Sequence, residues 1–225
     1  MAKGFFITGT DTDVGKTTVA LGLMTALQQK GLTVAAMKPV SAGCMQTPQG
    51  LRNDDAVRLM QQASINLPYD LVNPYAFEAS IAPHIAATDQ NVHMNIDVIK
   101  QAYQQIAEQT DVVIVEGAGG WLVPFNATQT MADIASALQL DVIQVVGLRL
   151  GCLNHALLTS ASIAAQGLTQ VGWVANQFTD EMHNPSENIQ SLQQRLPDVC
   201  LGVIPHLAQT QTNVITQYLN IDTLL

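Results

Sequence analysis

The residues with most chemistry to offer sit in one stretch, Gly9-Thr10-Asp11-Thr12-Asp13-Val14-Gly15-Lys16-Thr17-Thr18. A glycine-bearing loop of this kind aims several backbone N–H groups inward. The start of a following helix adds partial positive charge, and together they cradle polyphosphate. In such a cradle Lys16 reaches the β/γ-phosphates and the Thr17 hydroxyl ligates Mg²⁺. One detail departs from the usual spacing: five residues, rather than four, separate Gly9 from Gly15-Lys16-Thr17. A chance Gly-Lys-Thr turn is the competing reading. The context weighs against it, because an apolar run, Phe5-Phe6-Ile7-Thr8, precedes the loop, and Ala20, Leu23, Met24 and Leu27 follow at helical spacing.

Other candidates stand at the ends of predicted strands, where ligands gather in parallel α/β sheets. Thr33 to Met37 reads as a buried strand that delivers Lys38 to the same edge as the loop. Position alone leaves Lys38 either a solvated cap or a functional cation. Asn53-Asp54-Asp55 caps the next helix. Asp55 is either a first-turn acid favoured by the helix dipole or a metal ligand facing the phosphates, and spacing alone favours the former. Asp111-Val112-Val113-Ile114-Val115 is the clearest strand, a continuous branched apolar run expected in a sheet buried on both faces. It ends in Glu116-Gly117-Ala118-Gly119-Gly120, an acid placed to hold or orient Mg²⁺ and glycines that let backbone approach a ligand closely; the competing reading is that the glycines merely make a turn and Glu116 is solvated. Trp121 either lines the pocket or packs. A further strand, Asp141 to Val146, leads to Gly151-Cys152-Leu153-Asn154, a helix start whose free N–H groups suit a carboxylate.

The chain of 225 residues is long enough for a substantial core, and 48% hydrophobic against 12% charged residues fits a well-buried sheet. Nine Lys and Arg within a net charge of −9 cannot form the broad basic patch that nucleic acid requires. Cys44, Cys152 and Cys200 are odd in number and widely spaced, and read as reduced thiols of a cytosolic protein. No signal-peptide pattern opens the chain, and no apolar run approaches the ~18–20 residues of a membrane span. The expectation is a soluble, cytoplasmic protein. His84 and His93 lack partners at metal-binding spacing.

Between these landmarks, residues 97–109 are amphipathic, residues 131–140 helical, and Val171 to Ala175 and Leu201 to Ile204 strand-like. Residues 67–95, with Pro68, Pro74 and Pro83, carry no readable pattern. The alternation predicts one α/β domain over residues 1–225, a doubly wound, mainly parallel sheet with helices on both faces.

Taken in order, seven stretches resemble the dethiobiotin synthetase family across essentially the whole chain. They are the loop above, Lys38-Pro39-Val40, Arg52-Asn53-Asp54-Asp55, Val72-Asn73-Pro74-Tyr75, Val115-Glu116-Gly117-Ala118-Gly119-Gly120-Trp121, Leu150-Gly151-Cys152-Leu153-Asn154-His155 and Gly172-Trp173-Val174-Ala175-Asn176. The family's loop carries the same extra residue. The resemblance implies an ATP- and Mg²⁺-dependent cyclo-ligase of biotin synthesis acting on 7,8-diaminononanoate and CO₂. By implication Lys16, Lys38 and Thr12 serve the reaction, and Thr17, Asp55 and Glu116 hold the metal. The nucleotide falls to Asp13, Val14, Gly15, Lys16, Thr17 and Thr18, with Gly117, Ala118 and Gly119 beside it. Asn176, Gln177, Pro205, His206 and Leu207 surround adenine. Ser41 is a substrate-side hydroxyl, and Gly151, Cys152, Leu153 and Asn154 receive the substrate carboxylate across a homodimer interface. Family members often carry a hydroxyl residue just before the glycine at 43, where this chain has Ala42 and places Ser41 one position earlier. Gln177 and His206 also depart from the family pattern. A nucleotide-switch ATPase of the partitioning and metal-delivery class shares the loop and Glu116 but gives no reason for Lys38-Pro39-Val40. A small-molecule kinase is a third reading, which needs an acceptor hydroxyl and no CO₂.

Overall fold

A computed structural model describes residues 2–179, 182–207 and 212–225. In chain order the elements begin with β1 (Lys3–Gly9), α1 (Lys16–Gln29), β2 (Val34–Met37), β3 (Val40–Ser41), β4 (Met45–Thr47), β5 (Gly50–Arg52) and α2 (Asp54–Gln62). There follow α3 (Tyr69–Val72), β6 (Tyr75–Ala76), α4 (Pro83–Asp89), α5 (Ile96–Ala107), β7 (Val112–Gly120) and α6 (Met131–Leu138). The last are β8 (Asp141–Gly147), α7 (Cys152–Ala165), β9 (Gln170–Asn176), α8 (Pro185–Arg195), β10 (Cys200–Ile204) and α9 (Thr212–Ile215).

Six strands form one sheet in the order β10-β9-β8-β1-β7-β2, every neighbouring pair parallel. The strands are apolar in succession because both faces are covered. Phe5, Ile7 and Ile114 point to one side, where α1 and the C-terminal segment pack through Leu23, Leu27 and Ile215. Phe6, Val113 and Val115 point to the other, against α5 and α6 through Ile99, Ile106 and Ile134. Farther along that face, Val146, Trp173 and Ala175 meet Ala156 of α7 and Leu192 of α8.

This order sets the place of any ligand. From β1 the chain travels outward to β2, returns to β7, and then crosses to β8 on the other flank of β1. The crevice outside the carboxyl ends of strands at such a reversal is where open α/β sheets bind ligands. Residues 10–15 lie there.

The glycines after Glu116 do not form the turn of the competing reading: β7 runs on to Gly120, which pairs with Gly9 of β1 beyond a register shift. The main-chain ladder offered by β1 outweighs the weak strand preference of glycine. Residues 67–95 contain α3, β6 and α4. These pieces are too short to show a period; β6 pairs with β3, Val40 opposite Tyr75 and Ser41 opposite Ala76, and the Lys38 N–H meets the Val72 carbonyl at the end of α3.

Candidate active site

Gly15 caps α1 with a φ of +89°, and a Cβ placed there would lie 2.1 Å from Asn176 Nδ2. Only glycine fits. Asp13 also takes a left-handed conformation, at φ +57°, which aspartate tolerates better than most residues. The first main-chain bond into the helix runs from the Val19 N–H to the Gly15 carbonyl, 3.0 Å. The N–H groups of the preceding helix residues therefore have no intrahelical acceptor and are open to an anion. Asn176 sits beneath the loop, its Nδ2 donating to the Val14 carbonyl at 2.9 Å. Lys16 is buried and donates to the Asp11 carbonyl at 2.9 Å.

Beside the loop lies a cavity of about 730 Å³ that reaches Thr12, Lys16, Lys38, Asp55 and Glu116. Its far wall is residues 80–83, from the segment the sequence left unread. Three carriers converge here because β1, β7 and β2 are adjacent strands. Thr17 lies in the first turn of α1, Glu116 lies within β7, and Lys38 follows β2. Glu116 is only 1% exposed, and its Oε1 accepts from Thr17 Oγ1 at 2.9 Å and from Lys38 Nζ at 2.5 Å. Lys38 also donates to Asp55 Oδ2 at 3.1 Å. Lys38 is thus not a solvated cap, and Asp55, an acid in the first turn of α2, turns its carboxylate to that lysine.

The charges shape one another. Burial alone would lower the Lys38 pKa, but Glu116 and Asp55 outweigh it and raise the pKa above the ordinary lysine value. Burial opposes ionisation of Asp55 too, yet Lys38 and the Thr17 hydroxyl hold its carboxyl below the usual range. Lys16 forms no ion pair among the described residues. Burial, and then repulsion from Lys38, bring it from 10.5 to about 8. Glu116 Oε2 is buried and has no hydrogen-bond partner among the described residues. A buried, unsatisfied carboxylate oxygen beside the Thr17 hydroxyl and Asp55 is the oxygen donor set that suits a hard divalent cation.

The remaining predicted residues divide. Asp13, Gly15, Thr18, Ala118 and Gly119 line the cavity with Thr12. Gly119 has a φ of +64°, and a Cβ there would lie 2.8 Å from Val123. Gly117 is buried in β7 against Phe6. Ser41 lines the cavity but is 2% exposed, and its hydroxyl donates to Asn73 Oδ1 at 2.7 Å. Gln177 and residues 205–207 lie outside the cavity at the neighbouring ends of β9 and β10, where the Gln177 N–H meets the Ile204 carbonyl. Gly151, Cys152, Leu153 and Asn154 form the start of α7 on the same sheet edge and are not part of the cavity. Trp121 packs edge-on against Phe6 at 6.0 Å. Three features had no sequence signal: the Arg58 and Pro83 walls, the Asp11–Arg149 ion pair joining the loop to the turn before α7, and the contacts of Asn73.

Fold and site together define a phosphate-loop, nucleotide-binding α/β protein. A family model described as an AAA domain matches residues 3–213. ATP-dependent dethiobiotin synthetases are similar over nearly the whole chain. That of Cellvibrio japonicus is 49% identical over 99% of this chain and 98% of its own length. That of Pseudomonas aeruginosa is 45% identical over 96% of each. The chain belongs to the dethiobiotin synthetase family. Among solved structures, the MinD cell division protein of Aquifex aeolicus covers all of this chain and 91% of its own at a TM-score of 0.57. The MinC:MinD complex from the same organism gives 0.58 over 96% and 86%. Their identities of 14% and 16% make this a likeness of fold alone.

Proposed function

We propose that the protein closes 7,8-diaminononanoate and CO₂ to dethiobiotin at the expense of ATP, with Mg²⁺, as a cytoplasmic homodimer. One substrate amine adds to CO₂ and loses a proton, giving a carbamate. A carbamate oxygen attacks the γ-phosphorus of ATP, ADP leaves, and a carbamic–phosphoric anhydride forms. The second amine attacks the carbonyl carbon, phosphate departs, and the ureido ring is complete.

The demand of this sequence is to bring two anions together, which calls for placed cations rather than covalent catalysis. Lys16 and the loop N–H groups receive the β/γ-phosphates. Lys38 faces the carbamate and transferring phosphoryl oxygens, with Thr12 beside them. Thr17, Asp55 and Glu116 hold Mg²⁺, which when bound neutralises phosphate oxygens and aligns the γ-phosphate. The helix start at residues 151–154 offers N–H groups to the substrate carboxylate of the partner's site. Asn176, which also anchors the loop, surrounds the base together with Gln177 and residues 205–207.

The reading rests on the placement of Lys38, a second buried cation turned toward the phosphate loop in a chain of this family. ATP hydrolysis is expected only with diaminononanoate and bicarbonate both present, and Lys38→Ala abolishes dethiobiotin. Substrate-independent ATP turnover without dethiobiotin overturns the proposal. Mixing Lys16→Ala and Asn154→Ala chains restores part of the activity if each site borrows from its partner.

A further inference from the structure

Asn73, in a stretch that carried the family resemblance without a role, is 3% exposed and fills all four side-chain hydrogen-bonding positions. Its Nδ2 donates to the carbonyls of Lys38 at 2.6 Å and Tyr75 at 3.3 Å. Its Oδ1 accepts from Ser41 Oγ at 2.7 Å and Tyr69 Oη at 2.8 Å. Backbone carbonyls only accept, so the amide can face in one direction. The Tyr69 oxygen in turn accepts the Asn53 backbone N–H at 2.8 Å, which commits its own proton to Asn73.

This chain of bonds ends at the acid of the site. The Asn53 side chain caps α2 by accepting the Ala56 N–H at 3.1 Å, and Asp55 lies in the turn so fixed. The Arg52 guanidinium covers the Tyr69 ring at 4.1 Å. At the other end both backbone groups of Lys38 are held, its N–H by the Val72 carbonyl at 2.8 Å and its own carbonyl by Asn73. A lysine is a flexible stem with a point charge, so its ammonium is only as well placed as its backbone.

We infer that Asn73 is the positioning residue that sets Lys38 against Asp55, with Tyr69 as its link to α2 and Ser41 as a strut within the same network. The inference rests on the roles proposed for Lys38 and Asp55. Small displacements of positioned groups lower reaction rates without touching the distant parts of a binding site.

The test compares kcat, KM for each substrate and ADP affinity in Tyr69→Phe, Asn73→Ala and Ser41→Ala. Tyr69→Phe deletes one hydroxyl from a half-buried ring and so preserves the fold even if Asn73→Ala does not. The expected result is a kcat lower by about 10-fold in Tyr69→Phe and about 10²-fold in Asn73→Ala, the span seen when groups supporting a site are removed. ADP affinity stays within about twofold, because the phosphate loop is untouched. Ser41→Ala lowers kcat with KM for the diamine unchanged, as a strut rather than a substrate contact does. A folded Tyr69→Phe with unaltered kcat, or one that loses ADP affinity in step with kcat, overturns the inference. If Lys38→Ala still makes dethiobiotin, the underlying reading fails instead, so the two failures are distinct.

Discussion

Binding of the nucleotide should draw a proton onto Lys16. Burial, followed by the neighbouring Lys38 ammonium, holds that lysine near a pKa of about 8. Arriving phosphates favour the ammonium form, as any close opposite charge does. If the pKa rises from about 8 to above ~10 on binding, uptake is about 0.1 proton at pH 7, about 0.5 at pH 8 and about 0.9 at pH 9. Calorimetric titration with ADP at pH 9, in two buffers of different ionisation enthalpy, gives the number directly. Lys16→Arg retains the cation but cannot lose its proton, so its uptake is absent. Zero uptake by the unsubstituted protein at pH 9, or equal uptake by Lys16→Arg, refutes the reasoning. The same shift bears on folding. Because the folded pKa lies below the unfolded one, the unfolded chain binds more protons between about 8 and 10.5, and stability rises with pH through that window. Below it the charged lysine costs on the order of 3 kcal/mol, at about 1.4 kcal/mol per pH unit. Lys16→Met should therefore raise the urea midpoint at pH 7 while removing nucleotide binding.

Lys38→Met strands Glu116 and Asp55 without their counter-charge, and destabilisation of about 3–5 kcal/mol is expected. Urea unfolding followed by the buried Trp121 and Trp173 checks it, and a loss below about 1 kcal/mol contradicts it. Gly15→Ala drives a Cβ to 2.1 Å from Asn176 Nδ2 at a φ of +89°, so ADP affinity should fall at least ~10-fold. Gly15→Ala with Asn176→Ala recovers only part, because the left-handed backbone still costs about 1–2 kcal/mol. Arg149→Gln breaks a half-exposed pair with Asp11 and should change unfolding free energy by less than about 1 kcal/mol.

What the sequence made legible was local. The loop, the start of α1, the Asn53 cap and the apolar run of β7 each declare themselves within a few residues. The meeting of Lys38, Asp55 and Glu116 depends on strand order, with β7 between β1 and β2, and no spacing along the chain expresses that. The family resemblance supplied it. Residues 67–95 were opaque because their elements are short and residues 72–79 are fixed by main-chain pairing with residues 38–44 rather than by a period of their own. The hydrogen bond from Asn176 to the Val14 carbonyl below the loop had no signal in the sequence, because position at a strand end does not reveal which neighbour a short amide will reach.

The central claim, that ATP phosphorylates a carbamate built from CO₂, is tested most directly by tracing oxygen. In a single turnover with oxygen-18 CO₂, diaminononanoate and ATP in unlabelled water, the oxygen that attacks phosphorus leaves with phosphate. The proposal predicts one labelled oxygen in the released phosphate and one in the ureido carbonyl. Unlabelled phosphate, its new oxygen taken from water, would contradict it.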